Sequence, residues 1–504
     1  MSNESDQRKI GNRIAEFREQ KSMTQKELAA ALHTSQSAVA RMENGQQNFT
    51  TEMLSKISKV LGQQIITLDE SQSVRIEGGR PLSGTITVNT SKNAAVGLLC
   101  ASLLNRGKTT LKNVPKIEEV HRVIEVLESI GVALRWNGST LEIQRPVKLD
   151  LASMDKAAAV RTRSVLMLLG PLCHLLPEFT LPLAGGCKLG ERTVRPHLFA
   201  LEKLGVKIKT HHDYYKVSRT KLKPSTIVLY ESGDTVTENV VMAASKIPGK
   251  TVIKMASSNY MVQDLCHFLQ LLGVKIEGIG SNTLTVYGKP KLDKNVIFSL
   301  SEDPIEAMMF LSLAATTNSS LLIKRCPIDF LELELLKLEK MGMKFKVSRR
   351  YKNRNGFTDL VDIQTSKSRL HALEEKIYAR PFPGLNIDNL PFFVPIATRA
   401  KGTTLIHDWI YENRAIYYLE LQKLRADMLL ADPHRVYIKG PTQLRGAKVV
   451  CPPALRPASI ILIAMLAATG TSVLSNIYSI NRGYEDLIER LRQIGAKIEV
   501  VYGL

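Results

Sequence analysis

The chain is predicted to be an α/β protein with an all-α helix-turn-helix bundle at its N-terminus. The bundle is followed by a two-domain, inside-out α/β barrel of six βαβαββ-type repeats. Three observations carry this expectation. Helix ends running into a Gly-apolar-x-apolar strand recur at Gly131, Gly205, Gly273, Gly342, around Arg425 and at Gly495. Upstream of each lies a small polar turn and a short strand: GKTTLKNV, EFTLPLAGG, GKTVIKMA, SSLLIKRC, GTTLIHDW and GTSVLSNI. Self-similarity of this kind marks repeated supersecondary units. Thirdly, helices such as 458–468 are apolar nearly all round and must be buried on every side. Helices then lie inside and sheets outside, and six units make two three-unit domains with a cleft between them.

The first seventy residues lack this pattern. Apolar residues at 10, 14 and 17 have the spacing of one helical face. Thr24 with Glu27 three residues later forms a capping box that starts a second helix. A short turn at 33–35 leads into a third helix with Val39 and Met42 inward, ended by Gly45. A fourth, about 51–61, places Leu54, Ile57 and Leu61 on one face. A capped helix, a tight turn and a polar-fronted helix make a helix-turn-helix. The domains expected are 1–70, a linker at 71–73, a domain of 74–91 with 281–504, and a domain of 92–280.

Composition narrows the classes. Hydrophobic content of 44% and charged content of 23% fit an ordinary globular protein. Six scattered cysteines form no CxxC pair, which argues against zinc sites and a disulfide framework, so no metal is expected. The polar start is no signal peptide. The apolar run 460–470 is too short to span a membrane. A cytoplasmic location follows. The net charge of +20 invites a nucleic-acid reading, yet residues 1–70 hold nine Lys/Arg and nine Asp/Glu. The excess lies in the body, where it either holds anionic small molecules or forms a solvated basic surface.

The stretch LAGGCKLGERTVRPH (183–197) presents Cys187 after two glycines, near Arg192, Arg195 and His197. Neighbouring cations favour thiolate. A cysteine is also often a small buried hydrophobe. Lys92 opens a helix, where a cation is unfavourable unless an anion is there; the alternative is a surface lysine. Asp303, before Pro304, has the pattern of a helix cap.

Two family resemblances give these residues roles. TQKELAAAL with SQSAVARMENG resembles the Cro/repressor-type DNA-binding family over residues 8–68. It implies that Gln36, Ser37 and Arg41 face DNA bases and that Gln25 sits near the backbone. The alternative is a helical bundle for protein contact. Tight binding to DNA from a neutral domain implies dimerisation, so a homodimer is expected.

The remainder, 74–504, resembles the enolpyruvyl transferases. The motifs are SKNAA (91–95), RTRS (161–164), GGCKLGER (185–192), TEN (237–239), EDPIE (302–306), PFPGLNID (381–388), YENR (411–414), LRPAS (455–459) and RGYE (482–485). They are most similar to the peptidoglycan branch. That resemblance implies addition of the 3′-hydroxyl of UDP-N-acetylglucosamine to phosphoenolpyruvate, then loss of phosphate, without a cofactor. It implies that Lys92, Arg163, Arg192 and Arg414 hold the phosphoenolpyruvate anion. Cys187 would protonate the vinyl carbon, Asp303 would take the hydroxyl proton, and Asn93 and Asp388 would line the site. The shikimate branch lacks the loop cysteine. The chain departs from the pattern at SSNYMVQD (257–264), where Asn259 and Met261 replace two acids. It departs again at Arg195, at Glu339 and at ESGDT (231–235), mostly on the acceptor side. An alternative follows: a regulator whose transferase-like body is a weak or inactive ligand sensor.

Overall fold

The computed structural model describes residues 10–61, 72–183, 185 and 194–502, apart from positions 13, 16, 20, 22, 33, 47, 48 and 50. Two compact units are present, dividing after Gln72. The first unit holds helices Gln25–Ala31, Gln36–Glu43 and Thr51–Leu61. The capping box forms: the Glu27 N–H donates to the Thr24 hydroxyl, and the Thr24 N–H donates to the Glu27 carboxylate. Ile14, Leu28, Val39, Met42, Ile57 and Leu61 close a small core. Beside it Arg18 and Glu43 form a buried ion pair at 2.6 Å. Gln25 donates to the same carboxylate at 2.8 Å, so its amide nitrogen is engaged inside the unit. Gln36, Ser37 and Arg41 are exposed on the helix Gln36–Glu43.

Among the described residues, the second unit contains six separate sheets. Their unit of construction is clearest at Thr226–Val228 and Gly249–Lys254. These strands run parallel, with the helix Asp234–Ala244 between them in the chain. The helices are interior, as their all-round apolarity requires. Every residue of Pro304–Thr316 is buried, and so are Leu455 to Leu466 of Leu455–Ala467. At the repeat junctions the backbone turns left-handed: φ is 94° at Gly131, 100° at Gly205, 96° at Gly273, 87° at Gly342 and 93° at Gly495. Arg425 occupies the fifth of the six junctions at 72°, a conformation that strains an L side chain. Among the described residues no helix is long and apolar enough to cross a membrane.

Two apolar cores divide this unit into lobes. The first lobe's core runs from Ala94 to Leu300 and adds Phe330. It extends past the boundary at 280 because Thr283–Gly288 and Val296–Ser299 complete its sheets. The second is built from Val74–Val88 together with residues beyond Ile305. Two strands therefore change sides. Ser83–Thr87 pairs in parallel with Ser320–Pro327, and Val296–Ser299 with Thr109–Lys112.

The chain crosses between lobes just after each of these strands, and the two crossings pair with each other. The Ser91 N–H donates to the Ser301 carbonyl (2.9 Å), and the Asp303 N–H to the Asn89 carbonyl (2.8 Å). Thr90 and Glu302 form an antiparallel bridge between them. Asp264, from the first lobe, accepts from both the amide and the hydroxyl of Ser301. From the second, Asn353 donates to Glu302 at 2.6 Å, and Arg325 pairs with the same carboxylate.

Burial pushes the Asp264 carboxyl up to about 7, although the Ser301 bonds oppose it. An unfolded aspartate titrates near about 3.9. The folded state therefore holds a proton that the unfolded chain has released. This contribution to stability is complete below about pH 4 and is lost as pH rises through the folded value of about 7. Asp264→Asn should flatten that part of the stability–pH curve. Urea unfolding at several pH values between these limits checks it, and parallel curves for the two proteins would refute it.

Candidate active site

The paired crossings place two helix starts side by side. Lys92 is the first residue of Lys92–Ser102, capped by Ser91, whose hydroxyl accepts the Ala94 N–H at 3.2 Å. Asp303 caps Pro304–Thr316, accepting the Ile305 N–H at 2.8 Å, with Pro304 in the first helical position. The capping pattern seen in the sequence is thus present in the fold. Lys92, Asp303, Pro115, Glu306 and Tyr484 line one cavity.

Electrostatics joins further groups to this pair. Burial raises the pKa of Asp303, while Arg456 and Lys92 pull it down. For Asp388 burial acts in the same direction, but Arg456, Arg414 and Lys92 together prevail and hold the carboxyl below its ordinary value. Arg456 reaches Asp388 at 3.3 Å and donates to the Tyr484 hydroxyl at 2.8 Å. Lys92 also faces Glu119, which accepts from the Thr162 and Ser164 hydroxyls at 2.6 and 3.1 Å. Arg482 approaches the same carboxylate at 3.8 Å. Half-buried Arg163 lies between those two hydroxyl residues in the chain. Asn93 donates to the Tyr260 hydroxyl at 3.4 Å.

Arg414 is placed differently from the others. It is 1% exposed and grips Asp408 through two nitrogens, at 2.6 and 2.7 Å. It donates to the Ile387 carbonyl at 2.9 Å and lies over the Tyr411 ring at 4.3 Å. Its remaining nitrogen faces Asp388 at 3.7 Å. Its charge is balanced inside the protein, and its contact with the site runs through Asp388. Cys187 and Arg192 lie outside the described residues. Just beyond them, buried His197 meets Asn239 of the TEN motif at 3.0 Å. Asn239 also bonds the Leu166 carbonyl and the Gly170 amide, which makes it an organiser of the first lobe's interior.

Sequence reasoning assigned no role to Arg456, Tyr484, Glu119 or Tyr260. The first two lie in motifs it had singled out, LRPAS and RGYE, where a lone basic or aromatic residue gives no sign of what it faces. The departures on the acceptor side form a connected group. Asn259 caps Tyr260–Leu271 and donates to Asp234 of ESGDT at 3.2 Å, and Ser257 donates to the same carboxylate. Met261 is buried and Glu339 is exposed.

What this arrangement offers is a cleft between lobes that gathers cations, two carboxylates and helix N-termini, suited to a small, highly charged anion. Solved structures share the architecture. The enolpyruvyl transferase NikO from Streptomyces tendae superposes with a TM-score of 0.75 at 22% identity, covering 86% of this chain and all of that one. The EPSP synthase from Acinetobacter baumannii does so with a TM-score of 0.68 at 18% identity, again over 86% and 100%. A helix-turn-helix family model matches residues 14–67. The EPSP synthase (3-phosphoshikimate 1-carboxyvinyltransferase) family model matches 76–491. The UDP-N-acetylglucosamine 1-carboxyvinyltransferase of Bradyrhizobium diazoefficiens is 35% identical over 433 residues, 84% of this chain and 97% of that protein. That of Treponema denticola is 35% identical over 432, at 84% and 98%. Likeness at that identity, over nearly the whole of each relative, means that the chain belongs to the UDP-N-acetylglucosamine 1-carboxyvinyltransferase family of enolpyruvyl transferases, with a helix-turn-helix region ahead of the transferase body.

Proposed function

We propose that the body transfers the enolpyruvyl group of phosphoenolpyruvate to the 3′-hydroxyl of UDP-N-acetylglucosamine. We also propose that residues 1–70 bind DNA. The observation that carries the first reading is the cluster at the paired crossings: Lys92, Asp303, Asp388 and Arg456 face one another where two lobes meet. In addition, the hydroxyl oxygen bonds to the central carbon of phosphoenolpyruvate while the vinyl carbon gains a proton from Cys187. In elimination, that methyl carbon returns a proton, the bond to the phosphate oxygen breaks, and phosphate leaves. Lys92, Arg163 and Arg192 hold the anion, and Arg456 joins them from its place beside Asp388.

We assign the sugar hydroxyl's proton to Asp388 in place of Asp303. A base must reach its proton before its pKa matters. The Asp303 side chain is engaged in capping and is nearly enclosed, whereas the Asp388 side chain is 28% exposed. Asp303 then anchors the helix and helps set the charge on Arg456.

Phosphate release from phosphoenolpyruvate, dependent on UDP-N-acetylglucosamine, tests the reaction. Wild type should release phosphate, and Cys187→Ala should lose about 10²–10⁴-fold, the usual contribution of a placed acid. Absence of release from the wild type would sink the transferase reading for this acceptor and leave the sensor reading in its place. The departures at Asn259 and Met261 are what favour that second reading.

The assignment of the base has its own test. Asp388→Asn should fall by about 10²–10⁴-fold, while Asp303→Asn keeps a capping oxygen and should stay near wild type in both activity and stability. Because Arg456, Arg414 and Lys92 hold the Asp388 carboxyl below its ordinary value, it stays ionised through the ordinary carboxylate range, and no acid limb above that range should arise from it. An acid limb at higher pH that vanishes in Asp303→Asn would return the role to Asp303.

For the N-terminal region the supporting observation is the exposure of Gln36, Ser37 and Arg41 on one capped helix. Arg41→Ala should weaken binding to a specific site by about 1–3 kcal/mol. A gel shift with the protein's own upstream DNA checks this, and equal affinity for both proteins would remove Arg41 from the interface.

A further inference from the structure

Tyr260 lies between Asn259 and Met261, two positions where the chain departs from the family pattern, and its position in the fold gives the departure a meaning. It is 1% exposed and begins the helix Tyr260–Leu271. Its ring meets Phe330 edge-on, with centroids 5.7 Å apart, and Phe330 meets Phe382 at 5.0 Å. Phe330 and Phe382 come from the second lobe's part of the chain, so the ring packs between lobes. The hydroxyl ends over the first crossing. Its oxygen accepts from the Ser91 hydroxyl at 3.0 Å and from the Asn93 amide at 3.4 Å. Burial, with Asp303 nearby, raises the phenol's pKa well above its ordinary value, so it stays neutral beside that carboxylate.

Asn93 follows Lys92 and shares its helix turn. Among the described residues its amide nitrogen has one partner, Tyr260, and no donor reaches its oxygen. An amide held through its nitrogen presents its oxygen in a fixed direction. We propose that Tyr260 is a positioning residue for the acceptor. By accepting from Asn93 it orients the amide oxygen to receive a hydroxyl or amide N–H of a nucleotide sugar. By accepting from Ser91 it ties the cap of the Lys92 helix to the helix Tyr260–Leu271. The chain thus replaces acidic side chains on the acceptor side with a neutral strut. This inference rests on the transferase reading for the identity of the acceptor, but not on turnover.

A double-mutant cycle tests it, read by the Kd for UDP-N-acetylglucosamine in titration calorimetry on the full chain. Tyr260→Phe keeps the ring against Phe330 and removes only the hydroxyl. It should weaken binding about tenfold, the effect of leaving buried donors unpaired. In an Asn93→Ala background the same change should have almost no further effect, because the group it orients is gone. Equal weakening in both backgrounds would overturn the proposal, as would wild-type affinity in Tyr260→Phe. A purely structural role would lower the urea midpoint without this coupling. If the wild type binds the nucleotide sugar but releases no phosphate, the reaction reading fails while the cycle still decides Tyr260. If the wild type does not bind it, both fall.

Discussion

The pairing of the two lobe crossings is the constraint on which the rest of the site depends. A chain that passes once between two lobes leaves a flexible link. Here it passes twice, and residues 89–91 and 301–303 satisfy one another's backbone groups. Each crossing is flanked by a strand committed to one lobe and a helix buried in the other. The first turn of each helix therefore cannot move far from its neighbour's. Lys92 and Asp303 are side by side because the topology leaves them nowhere else to go. Glu302, Asp264, Asn353 and Arg325 brace the pair from both lobes.

Interior helices give this geometry its electrostatic character. Helix N-termini carry partial positive charge and unpaired N–H groups. Lys92–Ser102, Pro304–Thr316, Tyr260–Leu271 and Leu455–Ala467 all bring their first turns to the network around Asp303, Asp388 and Arg456. Carboxylates temper that field. Asp388 shares Arg456, Glu119 answers Lys92 and Arg482, and Asp408 balances Arg414. Buried cations without such partners would be costly. An incoming anion then meets charges already fixed in place, so little reorganisation is needed on binding.

Much of the architecture was legible because its signals are periodic. The repeat glycines mark junctions where the backbone must turn left-handed, and the fifth junction was found despite its Arg425 because the flanking apolar pattern persists. All-round apolar helices announced an inside-out arrangement, and Thr24 with Glu27 announced its own cap. What stayed hidden depends on encounters that no periodic pattern marks. Arg414 reads as a free cation until its loop folds back on Asp408, six residues earlier, and buries both. Arg456 sits at the start of an apolar helix, and only the meeting of that helix with the Asp388 loop and Tyr484 gives it a partner. Tyr260 would pass for a core aromatic, since nothing local signals a hydroxyl directed at a residue so distant in sequence.

The Tyr260 contact connects the departing segment 257–264 to the crossings. Asp234, Ser257, Asn259 and Tyr260 form a chain of hydrogen bonds and sequence neighbours that ends on Ser91 and Asn93. Asp234 is half-buried, and its desolvation raises its pKa against the bonds from Ser257 and Asn259. A carboxyl engaged in this way organises a wall more readily than it binds a ligand. The segment that looked depleted of acceptor-binding acids is therefore internally complete. Its polar groups satisfy one another and pass their order on to Asn93, the neighbour of Lys92 in the chain. A buried hydroxyl left unpaired would cost about 1–3 kcal/mol, so the pairing of Tyr260 with Ser91 and Asn93 also holds this part of the fold together. The altered wall is therefore an ordered part of the first lobe, its polar groups paired with one another and with the crossing.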